Sequence, residues 1–219
     1  MKKLLIGLVI LAIAGVAHAE LLATWTFPGD GTSSVEKNPG AANIAEVEFG
    51  ELTRVGVQQS TTAVFSGNTW GVAGNGLSLD ITVASGYQIT GATLAIGGMN
   101  GSNTGPNILQ WSVGYTGEQN YGTDVGSPWE NAYSTANAIT PDVNIGTIGE
   151  GTTALFFRST GGTINTPEGS PPPTSGSARL YGPMTMSGDI EGGTVIPEPA
   201  TMGLLGLGAL ALALRRKNK

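Results

Sequence analysis

At 219 residues, the chain has room for one domain of ordinary size once its two distinctive ends are set aside. Its 35 Gly and 12 Pro, with only 12% charged residues, exclude a helical bundle and fit short strands joined by many turns. From Glu20 to Pro199, 16 acidic residues stand against Lys37, Arg54, Arg158 and Arg179, a net charge of -12 that repels phosphates and excludes a nucleic-acid partner.

The chain starts with basic Met1-Lys2-Lys3, then an apolar run from Leu4 to Val16, then Ala17-His18-Ala19 before Glu20. That run of about 13 residues suits a signal-peptide core and falls short of the ~20 that a permanent span needs. Residues 1–19 are therefore predicted to form a signal helix cut by signal peptidase after Ala19, with the small residues Ala17 and Ala19 marking the site. An uncleaved anchor is the alternative. His18 is the only histidine, and there is no cysteine, so the mature passenger would lack both. That removes most familiar nucleophile, base and zinc arrangements, and no cofactor or metal is expected. The domain must fold on its core without disulfides.

From Leu21 onward the pattern is strand, turn, strand. Leu22, Thr24 and Thr26 oppose Ala23, Trp25 and Phe27, and Phe27-Pro28-Gly29-Asp30-Gly31 ends the run with turn chemistry. Ile44 to Phe49, Leu52 to Val57 and Thr62 to Phe65 are further candidates. Leu77, Leu79, Ile81 and Val83 alternate with Ser78, Asp80, Thr82 and Ala84, the cleanest half-buried strand. Ile89 to Ile96 follows, then Leu109, Trp111, Val113 and Tyr115 on one face of another strand. Val143 to Ile148, Thr152 to Arg158 and Ala178 to Ile190 complete roughly ten strands. With no amphipathic helix and no fixed repeat, the expected fold class is all-β, a single jelly-roll-like β-sandwich over residues 20–190. Thr160 to Ser177 reads as a surface loop and residues 191–196 as a linker.

Residues 197–219 have a distinct organisation: Pro197-Glu198-Pro199, an uncharged stretch from Ala200 to Leu214, then Arg215-Arg216-Lys217-Asn218-Lys219. The prolines keep the chain extended ahead of the apolar run. Fifteen residues at ~1.5 Å rise give roughly 22 Å, a short transmembrane helix against a ~30 Å hydrocarbon core. Leucines surround this helix rather than line one face, which argues for lipid over a surface role. Lys2 and Lys3 hold one end in the cytoplasm and the Arg215-Arg216-Lys217 stop-transfer tail holds the other. The passenger between them is then outside, beyond the inner membrane.

These three parts in order resemble the PEP-CTERM sorting signal of Gram-negative bacteria that make extracellular polysaccharide. The resemblance covers Val195 to Lys219. It implies that an exosortase, a membrane transpeptidase-like cysteine enzyme, cuts near Pro197, Glu198 and Pro199 and releases or transfers the passenger to the cell surface or extracellular matrix. The passenger, from 21 to 190, also resembles the jelly-roll passengers attached to such signals. Trp25-Thr26-Phe27, Gly86-Tyr87-Gln88-Ile89, Gly105-Pro106 and Met186-Ser187-Gly188 carry that likeness. Trp111-Ser112-Val113-Gly114-Tyr115 stands where those passengers show Ser-Leu-Asp-Gly-Phe, and Tyr181-Gly182-Pro183 replaces their closing Asp-Asn pair.

Three functions are open to such a passenger. The first is a non-catalytic surface or matrix component. The second is a carbohydrate-binding module for extracellular polysaccharide: of the aromatics Tyr115, Tyr121, Trp129 and Tyr133, the last three look loop-borne, and flat rings cover sugar C–H surfaces. The third is a glycosidase using paired carboxylates among Glu118, Asp124, Glu130 and Asp142. Asp30 and Asp124 are conceivable calcium ligands, but without an ordered run of acids they read better as turn residues.

Overall fold

The computed structural model describes residues 19–28, 31–59, 65–117, 120–130, 142–163 and 175–193. Residues 1–18 of the signal segment with Ala17, Tyr133, Pro197–Pro199, the C-terminal apolar run and Arg215–Lys217 lie outside these residues, while Ala19 is the first of them. Among the described residues, no helix is long and apolar enough to cross a membrane.

The strands are β1 (Glu20–Thr26), β2 (Ser34–Lys37), β3 (Val47–Phe49), β4 (Thr53–Val55), β5 (Phe65–Gly67), β6 (Gly76–Val83) and β7 (Tyr87–Ile96). They continue with β8 (Met99–Gly101), β9 (Pro106–Val113), β10 (Thr123–Glu130), β11 (Asp142–Ile148), β12 (Gly151–Thr163), β13 (Ala178–Leu180) and β14 (Met184–Gly192). Period-two patterning places most of the long ones where expected, β10 excepted: in β6, Leu77, Leu79, Ile81 and Val83 are buried while Asp80 and Thr82 are exposed. Gly182 and Pro183 divide the single strand expected from Ala178 to Ile190 into β13 and β14. Ile44–Glu46 forms a 3-10 turn ahead of β3. β12 runs on through Thr160 to Thr163, and β14 continues to Gly192, so both extend into stretches read as loop and linker.

One sheet has the order β11-β7-β14-β1-β2, the other β10-β9-β12-β6-β3 with β4 also on β6, and β5-β13-β8 forms a small third sheet. The eight longer strands fall into a simple rule. Numbered in chain order, the first, eighth, third and sixth make one sheet, and the second, seventh, fourth and fifth make the other. All these pairs are antiparallel. That is jelly-roll connectivity, and the passenger is an all-β sandwich.

Between the sheets lies one core. Trp111 stacks on Phe157 with ring centroids 4.8 Å apart, Trp70 meets Phe157 edge-on, and Trp25 meets Phe49 edge-on. Trp25 Nε1 donates to the Gly50 carbonyl at 2.8 Å, which ties the first strand of one sheet to the segment after β3 of the other.

Both ends of the sandwich chain run toward one pole, β14 reaching it and β1 starting four residues short of it. Glu20 pairs with Gly188, and Gly193 N donates to Gly86 O in the turn between β6 and β7.

Candidate functional site

β12 contains Leu155, Phe156 and Phe157 in succession, and all three are fully buried. Alternation allows only two of them to face the core. Leu155 and Phe157 do so; Phe156 pairs with Ser112 and Ser78 on the side of the sheet turned away from the core, and another layer must cover it.

That layer comes from the connection between β9 and β10. β9 ends at Val113, and Gly114 adopts φ +86, a conformation that glycine reaches without cost. The amides of Gly114 and Tyr115 both donate to Ala154 O, so two residues stand against one. This extra residue reverses the parity of the chain. Tyr115 therefore leaves the face of Trp111, where alternation had grouped it, and lies flat on Phe156 from the outside, with centroids 4.0 Å apart and planes 8° apart. The connection then folds back through bonds between Thr116, Gly117 and Asn120 to deliver Tyr121.

Tyr121 is half-buried, its ring 5.8 Å from Phe156 and 6.5 Å from Tyr115. Gly74 N donates to its hydroxyl at 2.7 Å, and the Arg158 guanidinium lies 4.8 Å above its ring. Arg158 Nη2 in turn donates to Asp124 Oδ1 at 2.7 Å. The result is a tier of three nearly parallel rings with an ion pair at its edge. Gly76 makes room for it: a Cβ there would fall 2.6 Å from Phe156 Cζ and 2.4 Å from the Phe157 carbonyl oxygen.

Of the three aromatics read as loop-borne, Tyr121 has its described side chain in this tier, beside Tyr115 and with Asp124 at the edge. Trp129 lies in β10, with Leu109 as its ladder partner, rather than in a loop; its side chain is outside the described residues. Phe156 and Arg158, which are not among the sequence candidates, complete the tier. Of the candidate acids, Asp124 is held by Arg158, Glu130 sits opposite Ile108, and Asp142 begins β11 in the other sheet. Asp124 and Glu130 are four ladder positions apart along β9, about 14 Å of strand. Glu118 and Asp30 lie outside the described residues. Among the described residues, no three His, Asp or Glu side chains converge.

A second feature occupies the pole where β14 ends. It is an open cleft of about 480 Å³ beside Tyr87, Gln88, Glu150 and Glu191. The Gly86 amide donates to Glu150 at 2.9 Å and the Ser85 hydroxyl at 3.1 Å, and these bonds, the amide first, hold its carboxyl below the usual carboxylate range. A lowered folded-state pKa stabilises above the unfolded value of 4.5, and that contribution is lost as pH falls through the lowered one. Glu150→Gln is accordingly expected to shrink the stability that the passenger loses on acidification below pH 4.5, measured as urea midpoints. Parallel midpoint-against-pH curves for the two proteins would disprove that role.

No curated protein shows significant similarity to the chain. Among solved structures, the CBM22-1 xylan-binding domain from Paenibacillus barcinonensis Xyn10C is similar at a TM-score of 0.41 with 11% identity, over 78% of this chain and 95% of that one. Residues 195–217 match the PEP-CTERM protein-sorting motif. That span includes Pro197, Glu198 and Pro199 and the basic residues Arg215, Arg216 and Lys217. The chain is thus a jelly-roll passenger that carries a PEP-CTERM protein-sorting motif.

Proposed function

We propose that the chain is an exported, non-catalytic surface or extracellular-matrix protein whose C-terminal signal is recognised by an exosortase. Signal peptidase removes residues 1–19, the C-terminal helix holds the passenger at the inner membrane in transit, and cutting near Pro197-Glu198-Pro199 delivers it to the surface or matrix. The sorting motif at 195–217 carries this reading. The passenger's lack of His and Cys agrees with a non-catalytic role. Fractionation in the native host tests it. With Pro197→Ala and Pro199→Ala together, the full-length chain is expected to accumulate in the membrane fraction. Unchanged processing and destination would sink the reading.

A second reading, binding of extracellular polysaccharide, is favoured by the half-buried Tyr121 ring on the outer face, with Arg158 and Asp124 beside it. An aromatic ring with charged donors and acceptors alongside is the combination that sugars need. On an array of bacterial polysaccharides, Tyr121→Ala is expected to reduce binding about 10-fold or more, as when a small site is deprived of its aromatic anchor. Trp129→Ala and Tyr133→Ala test the remaining candidates. A passenger that binds no polysaccharide removes this reading.

A further inference from the structure

We propose that the pole formed by the β6–β7 turn, the β11–β12 turn and the end of β14 is the face that the passenger presents to its membrane-bound sorting peptidase. The Gly192-Gly193 turn sets where the sorting motif leaves that face. This inference rests on the sorting reading above.

The exit is built rather than loose. Gly192 has φ +137 and Gly193 φ +76, conformations that other L-residues rarely adopt. Gly193 N donates to Gly86 O at 3.1 Å, so the chain is latched onto the β6–β7 turn as it leaves β14. A Cβ on Gly192 would lie 2.3 Å from Gly86 O and 2.6 Å from Tyr87 Cα, backbone atoms that have nowhere to go. At Gly193 it would lie 2.8 Å from the Tyr87 hydroxyl.

The tether is short. Only Thr194, Val195 and Ile196 separate Gly193 from Pro197, so at ~3.6 Å per residue the first proline lies at most about 14 Å from Gly193. A peptidase domain of ordinary size, ~200 residues, has a radius of gyration of about 16 Å. It cannot occupy the tripeptide without facing this end of the sandwich. Facing it are the open cleft and the carboxylates of Glu150 and Glu191, while Gln88 Nε2 donates to Glu191 at 3.4 Å. A partner surface with hydrogen-bond donors or basic side chains fits them. β1 points toward the same end, starting at Glu20 opposite Gly188, four residues or about 13 Å of strand short of Gly192. Both ends of the sandwich chain therefore run toward the same pole.

A coupling experiment on the full chain tests this, with pulse-chase processing in the native host as the readout. Gly192→Ala is made with the native tether and with twelve Gly/Ser residues inserted after Gly193. Strain at the turn misdirects a short tether and leaves a long flexible one indifferent. Processing is thus expected to slow about 3- to 10-fold with the native tether, and less than about 2-fold with the insertion. Equal rates for Gly192→Ala and the parent on the native tether overturn the proposal. So does a loss that persists with the insertion, since the substitution then acts through the fold. The Pro197→Ala/Pro199→Ala chain is run alongside: if it is processed normally, the sorting reading has failed, independently of the exit geometry.

Discussion

Trp25→Ala is expected to destabilise the passenger by about 3–5 kcal/mol. Trp25 is fully buried in β1 between β14 and β2, opposite Met184 and Val35, and its ring meets Phe49 at 5.8 Å. Removing a buried Trp ring costs about 3–5 kcal/mol in lost burial and residual cavity. The Gly50 carbonyl, which accepts from Nε1, loses a bond that links the two sheets. Against a total of about 5–15 kcal/mol for a domain of this kind, that is between about a fifth and the whole of the stability. Urea unfolding of the purified passenger, followed by far-UV circular dichroism, checks it. Trp25→Phe keeps the packing and gives up the hydrogen bond, so a smaller loss of about 1–2 kcal/mol is expected. An alanine midpoint equal to the parent's would mean that the two sheets hold without this bridge.

Phe156→Ala is expected to be nearly as costly, about 3–5 kcal/mol, although its side chain points away from the main core. It is fully buried because Tyr115 and Tyr121 lie over it. An exposed position on the same face, Thr82, provides the contrast: substitutions there stay within about 0.5 kcal/mol. If Phe156→Ala behaves like Thr82→Ala, the tier is decoration. The Gly74 amide is a local reporter, since it donates to the Tyr121 hydroxyl. Its hydrogen exchange is expected to accelerate in Phe156→Ala and in Tyr121→Phe, which keeps the ring and removes the hydroxyl. Phe156→Ala also bears on sugar binding, because it removes the platform that keeps the Tyr121 ring in place.

Part of this fold is legible along the chain. The alternation of Leu77, Leu79, Ile81 and Val83 fixes one face of β6, because the period of a strand is set by its backbone and needs no partner. The three-part C-terminal motif is equally local, since its order and charge are read residue by residue. The succession Leu155-Phe156-Phe157 holds a further signal: three apolar residues in an otherwise alternating strand imply that both faces are covered. The weaker strands give no such signal. β10, with the sequence TDVGSPWE, has a broken apolar pattern and is held by its pairing with β9.

The sequence by itself determined that this is a β-rich, acidic passenger between two apolar ends, with a sorting motif at residues 195–217, because composition, charge and short motifs are properties of the chain alone. Which strands pair, that both ends of the sandwich run toward one pole, and that Tyr115 sits outside the sheet and not with Trp111 come from the packed fold. Long-range pairing depends on residues distant in sequence, such as Glu20 opposite Gly188. One left-handed glycine, Gly114, is enough to turn a side chain from one face to the other.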